Sequence, residues 1–167
     1  MYKNSLDRPS LDTYSVEEER RLFAEALAAK NFKVDPAFLQ SFKVGDIIEI
    51  YEAPENIQVY CNREFMKLCS YSSEQMLTIP YPKLFWRNED ANIALMHRAS
   101  HVFIYESGCV PWGIESHDLV ESLHPRKRTF EMKMGVIAPI FSIKDNKRIG
   151  FASTLQVSLV FEWSESI

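Results

Sequence analysis

Glycine is scarce in this chain, five in 167 residues, and cysteine scarcer still, with three. So few glycines argue against a disordered or low-complexity protein, and no glycine-rich phosphate loop or dinucleotide fingerprint occurs. A nucleophile elbow is missing as well. Cys61, Cys69 and Cys109 are odd in number and lack metal-ligand spacing, so Cys61 and Cys69 read as small core residues. No run of about eighteen apolar residues exists to cross a membrane. Nor does the N-terminus show a charged-then-apolar leader, so a reducing, cytoplasmic setting is expected. An excess of positive charge is also lacking. Nineteen Lys and Arg against 23 Asp and Glu give a net charge of −4, which offers no general attraction to a phosphate backbone. The single basic cluster, Arg126-Lys127-Arg128, reads as a solvated turn.

What the chain has is aromatic bulk, eleven Phe and seven Tyr, and enough length to bury about two thirds of its unfolded surface as one domain without staples. Residues 1 to 14 are polar, carry Pro9 and show no period, which predicts a loose arm. Ser15 with Glu18 then forms a capping box that opens a helix to about Lys30. Its apolar face, Leu22, Phe23, Ala26 and Leu27, must dock on the outer face of a sheet or against a second subunit. Asp35-Pro36 starts a short capped turn of helix. Asp46 to Glu52 and Ile57 to Cys61, joined at Pro54-Glu55-Asn56, predict an antiparallel hairpin in which Ile57, Val59 and Cys61 share a face.

The segment from Asn62 to Leu77 carries the most information. Phe65, Leu68 and Cys69 make an apolar stripe on a short helix that stops near Tyr71. Ser72 is then an N-cap closed by Gln75, with Tyr71 and Met76 as a hydrophobic staple. Asn88 caps a long helix from about Glu89 to Tyr105, ending before Gly108. Asp118 to Leu123 is expected as an edge strand. Thr129 to Ala138 alternates through Phe130, Met132, Met134, Val136 and Ala138, and Arg148 to Phe161 alternates through Ile149, Phe151, Ser153, Leu155, Val157, Leu159 and Phe161. Lys144 to Lys147 supplies the turn between them. Periodicity alone gives an α+β domain without repeats.

Asn62, Phe65, Leu68 and the corner Ser70-Tyr71-Ser72-Ser73-Glu74-Gln75 resemble the PAS family of sensory domains, with Ser70 where that family carries Gly. The resemblance spans about residues 45 to 161. It implies a five-stranded antiparallel sheet in spatial order 2-1-5-4-3 with helices on one face, over 45–163, preceded by an N-terminal arm and helical cap over 1–44. A stand-alone sensory module follows from it, since no kinase, cyclase or DNA-binding segment comes after Phe161. Relatives of this kind commonly pair through the cap helix, so a homodimer using Leu22, Phe23, Ala26 and Leu27 is expected, and a protein partner for output.

A chamber for a small apolar or aromatic ligand, or else a simply packed aromatic and Met-rich core, should lie between the sheet and the helices. Its apolar lining is expected from Phe65, Phe85, Ile93, Met96, Met132, Met134, Phe151 and Leu155, with Leu68, Met76 and Leu84 around them. Tyr60, Asn62, His97, Ser153 and Gln156 are the polar groups that would orient a ligand. His97 and His101 stand at i, i+4, so their rings can share a metal, with His117, His124, Asp118 or Cys109 as third-ligand candidates. Some PAS domains hold haem through a His on this helix, and the resemblance raises His97 and His101 for that role too. The flavin-binding light sensors carry an Asn-Cys-Arg-Phe-Leu-Gln segment where this chain reads Ile79-Pro80-Tyr81-Pro82-Lys83-Leu84-Phe85, without the reactive thiol. The competing reading is a small enzyme on a cone-shaped α+β fold, using a pocket carboxylate or imidazole as general base, or Cys109 paired with His101, His117 or Asp118.

Overall fold

The two alternating C-terminal stretches form a pair of long strands, Arg126–Ser142 and Arg148–Ser164, hydrogen-bonded antiparallel along their whole length. The computed structural model describes residues 4–5, 14–123 and 126–164. In chain order its elements are β1 (Asn4–Ser5), α1 (Val16–Ala29), β2 (Phe32–Lys33), α2 (Pro36–Gln40), β3 (Ile47–Glu52), β4 (Ile57–Cys61) and α3 (Arg63–Leu68). There follow α4 (Ser73–Thr78), α5 (Tyr81–Leu84), β5 (Phe85–Trp86), α6 (Glu89–Tyr105), β6 (Val110–Pro111), β7 (His117–Glu121), β8 (Arg126–Ser142) and β9 (Arg148–Ser164). All strands belong to one antiparallel sheet whose main path is β4-β3-β9-β8-β7-β5, with β1 on β9 and β2 and β6 on β8. This is more than the five strands expected, because the two long strands offer free backbone beyond their shared core and short segments pair with it. Three further differences follow from the same pairing. The loose arm falls mostly outside the described residues, but Asn4–Ser5 lies along β9. Arg126 to Arg128 open β8 instead of making a turn, and β7 is not an edge, because β5 pairs with it.

Local signals set the helix ends. Ser15 Oγ accepts from Glu18 N at 3.1 Å, Asp35 Oδ1 from Ala37 N at 3.0 Å and Asn88 Oδ1 from Ala91 N at 2.7 Å. Ser72 and Gln75 close their capping box in both directions. Tyr71 and Met76 are buried in one cluster, as a staple requires. The corner between α3 and α4 is then tied to the sheet through Glu121. Its buried carboxylate accepts from Ser70 N at 2.5 Å, Ser70 Oγ at 2.8 Å and Arg128 N at 3.2 Å. The serine that stands where the PAS pattern has glycine thus supplies a hydroxyl donor to the last residue of β7.

The sheet separates two cores. On one face α3, α4, α5 and α6 cover Phe65, Met76, Leu84, Leu119, Phe130, Met132 and Leu155, with Leu95, Val102, Trp112 and Ile137 beside them. On the other, α1 and α2 bury Phe23, Leu27, Phe38 and Phe42 against Ile48, Ile50, Ala138, Ile140 and Ala152. Docking of α1 is therefore intramolecular, and burying Phe23 and Leu27 contributes about 2 kcal/mol each. Leu22 and Ala26 are only half-buried.

Strict alternation fails at four register shifts, of which the one between Ile140 and Phe141 leaves Ile149 packed on the α1 side and not on the face of Phe151 as expected. The β8–β9 register shifts between Met134 and Ile137, so Val136 and Ala138 face the α1 side while Phe130 and Met132 face the other. Gly135 sits there because a Cβ would stand 2.4 Å from Thr154 Oγ1. A shift between Glu131 and Met132 changes the phase of β9 after Val157, and Val160 packs against the same core as Val157. In the hairpin Ile50 pairs with Tyr60 and Tyr51 with Gln58, which leaves Val59 unpaired and turns both Val59 and Tyr60 toward α1.

Candidate functional site

A cavity of about 430 Å³ lies between α6 and the face of the sheet formed by β3, β9 and β8. Its size falls in the range of small-molecule sites. The buried floor consists of Glu49 and Tyr51 from β3, Leu155 from β9 and Trp112 from the segment after β6, with Phe151 and Met134 beside them. Pro54, Pro82, Asn92, Met96, Ser100 and Ile104 line the same space and are exposed, so they form its rim. The aromatic walls brace one another: Tyr51 stacks on Phe151 at 5.2 Å, meets Tyr81 edge-on at 5.4 Å, and Phe151 meets Trp112 edge-on at 6.4 Å. Trp112 is fixed by Nε1 donating to Ser153 Oγ at 3.0 Å.

One end of the cavity is polar. Glu49 is 2% exposed, and its Oε1 accepts from Gln58 Nε2 at 2.8 Å. The same amide nitrogen donates to Tyr51 Oη at 3.2 Å, leaving the buried Gln58 Oε1 without a donor. Burial pushes the Glu49 carboxyl up to about 7, against the opposing pull of the Tyr51 hydroxyl, Arg87 and Gln58. Burial likewise raises Tyr51 and Tyr81, and Glu49 adds to the effect on both. Arg87 stands between β5 and α6. Its Nη2 donates to Tyr81 Oη and its Nε to His117 Nε2, each at 3.0 Å. His117 Nδ1 is left to donate to Glu115 O at 3.1 Å, the neutral tautomer, and burial holds that imidazole below its ordinary range. Arg87 makes no ion pair with a carboxylate among the described residues.

Of the side chains singled out in the sequence, Met96, Met134, Phe151 and Leu155 line this space. Phe65, Phe85 and Met132 are buried in the adjoining core instead. Ser153 acts one step back, holding Trp112. Asn62 spends its amide on backbone, accepting from Ile48 N at 3.1 Å and donating to Asp46 O at 2.8 Å. Tyr60 faces the other core, edge-on to Phe23 at 5.6 Å, and Gln156 donates to Asp46 Oδ1. On α6 the inward residues are Leu95, Ala99 and Val102, while Ile93 and His97 are exposed, because the helix is rotated from the face expected.

Neither His97 nor His101 lines the cavity, and no imidazole does among the described residues. His101 Nδ1 stands 3.8 Å from Glu106 Oε1. Among the described residues no three His, Cys, Asp or Glu side chains come together, and His124 lies outside them. Cys109 is half-buried near Asp35, whose Oδ2 accepts from its backbone N–H at 3.1 Å, and burial raises the thiol. Sequence reasoning passed over Glu49, Tyr51, Arg87 and Trp112. The available signal was the two-residue spacing of Glu49 and Tyr51 inside an isoleucine-rich strand, which puts both on one face.

No helix among the described residues is long and apolar enough to cross a membrane. No family model matches the chain, and no curated protein does. Among solved structures it is similar to a crystal structure of a sensory box sensor histidine kinase from Vibrio cholerae, at 13% identity and a TM-score of 0.45, over 84% of this chain and 97% of that one.

Proposed function

We propose that this chain is a PAS-like sensory module that takes a small, largely aromatic ligand between α6 and the sheet. The observation that carries the reading is the cavity of about 430 Å³ with braced aromatic walls and one polar end. A packed core would have no reason to leave such a space beside a desolvated carboxylate. The strand path β4-β3-β9-β8-β7, which is 2-1-5-4-3 counted within the PAS unit, supports the family reading. Native mass spectrometry of freshly purified protein tests it. The expected result is a retained small molecule, or, from bare protein, a mass shift and thermal stabilisation by members of an aromatic fragment set. Bare protein that no fragment stabilises would end the ligand reading. Homodimerisation through α1 belongs to the same proposal. With Phe23 and Leu27 turned inward, Leu22 and Ala26 carry its exposed share, and light scattering of Leu22→Glu should show the mass of one chain where the wild type shows two.

A second reading rests on Glu49 itself. A buried carboxyl near 7 in a cavity has the protonation midpoint of a general base. It predicts deuterium exchange at the α-carbon of small aromatic ketones, catalysed by the wild type and absent in Glu49→Gln. Exchange at the solvent rate for both proteins would dispose of it.

A further inference from the structure

The polar end of the cavity is rich in acceptors and poor in donors. Glu49, which lines the cavity, accepts only from Gln58 Nε2 and the Tyr51 hydroxyl among the described residues, so its two oxygens keep lone pairs for a further donor. The two N–H groups of Gln58, a residue behind the cavity lining, are spent on Glu49 and Tyr51, and its buried Oε1 has no donor to offer in return. Arg87, which lines the same space, is committed to Tyr81 and His117 and pairs with no carboxylate among the described residues. Around this end stand Tyr51 and Tyr81, with Phe151 and Trp112 behind them, whose π faces favour positive charge. We infer that the ligand is an organic amine, an aromatic or apolar body whose ammonium group donates to Glu49 while its rings fill the space lined by Phe151, Trp112 and Met134.

This rests on the ligand-binding reading above and narrows it to one chemical class. The alternatives are disfavoured by the same geometry. A carboxylate-bearing ligand would have to bring a second anion beside a buried one. A wholly apolar ligand would leave Glu49 desolvated with nothing gained. The charge meeting Glu49 comes from three elements. On its own strand stands Tyr51, across the hairpin Gln58 and Cys61, and from the α5–β5 side Tyr81 and Arg87, with His117 neutral behind the guanidinium. Among the facing groups only Arg87 is cationic, and it favours the ionised carboxylate that an ammonium would meet.

Isothermal titration with three probes of one shape tests the inference: 2-phenylethylamine, 2-phenylethanol and phenylacetate, each against wild type and Glu49→Gln at pH 8. The amine should bind wild type at least about tenfold more tightly than the alcohol, as a charge-assisted hydrogen bond is worth. Glu49→Gln should abolish that preference. The amine preference should also fall about tenfold between pH 8 and pH 5.5 in wild type, as Glu49 takes up a proton. Equal binding of amine and alcohol to wild type overturns the inference and leaves the ligand site standing. Tighter binding of phenylacetate overturns it in favour of Arg87 as the anchor. If no probe binds, both the inference and the site fail. A Glu49→Gln protein that does not fold leaves the wild-type ranking and its pH dependence as the decisive measurements.

Discussion

Glu49→Gln should make the protein more stable above neutral pH. The native carboxyl sits at about 7 against an ordinary 4.5, so the native state holds a proton over a window in which the unfolded chain has released it. A raised carboxyl contributes stability that is fully present below 4.5 and lost as the pH climbs through 7. Each factor of ten in acidity is about 1.4 kcal/mol, so the wild type gives up on the order of 3 kcal/mol between those limits. For a domain of this size that corresponds to about 6 to 12 °C in midpoint. Glutamine keeps the shape and cannot ionise, so its curve lacks that loss. Burial also raises Glu19 and Asp46, whose titration slopes the wild-type curve in the same direction. The diagnostic quantity is therefore the difference between wild type and Glu49→Gln, measured by thermal unfolding from pH 4.5 to 9. The difference should be least at pH 4.5, grow through the window and level off above about pH 8. Parallel curves across the range would refute the desolvation argument, and with it the view that this carboxylate lies out of water.

Other expectations concern the frame. Glu121→Ala removes the acceptor for Ser70 N, Ser70 Oγ and Arg128 N, and should cost on the order of 3 kcal/mol in chemical denaturation; a loss under about 0.5 kcal/mol would mean that the corner does not depend on it. Gly150→Ala places a Cβ 1.8 Å from Tyr51 O, so β3 and β9 cannot keep their spacing and soluble yield should collapse. Trp112 is buried against Ser153 and Phe151, whereas Trp86 is exposed. A cavity ligand should therefore change tryptophan emission in the wild type and not in Trp112→Phe; an unchanged response in that variant would show that binding occurs elsewhere.

Local chemistry was readable from the sequence wherever one residue and its near neighbours decide the outcome. Ser15, Asp35, Ser72 and Asn88 all cap helices as their side chains require, and the Tyr71–Met76 staple sits where the spacing puts it. Facing directions were harder to read. The bulge beside Gly135 reverses β8 because a partner strand, not a neighbour in sequence, forces it. Helix α6 carries Ile93, Leu95, Met96, Val102, Phe103 and Ile104 on more than one side, so pattern alone does not select the buried stripe. The rotation matters for the site, since it takes His97 away from the cavity and brings Ala99 and Phe103 to it. Glu49 escaped notice because a single acid in a strand ordinarily points to water; only the tertiary cover of Tyr51, Tyr81 and Gln58 makes it a buried charge.

Phe151 and Ala152 are consecutive, yet one touches the cavity and the other the packing under the N-terminal helix. Gly150, immediately before them, is wedged against the Tyr51 carbonyl and has no slack to absorb a movement. The wall between chamber and cap is thus a single backbone thick, and an occupant that pushes Phe151 aside presses directly on the surface where the cap helix rests.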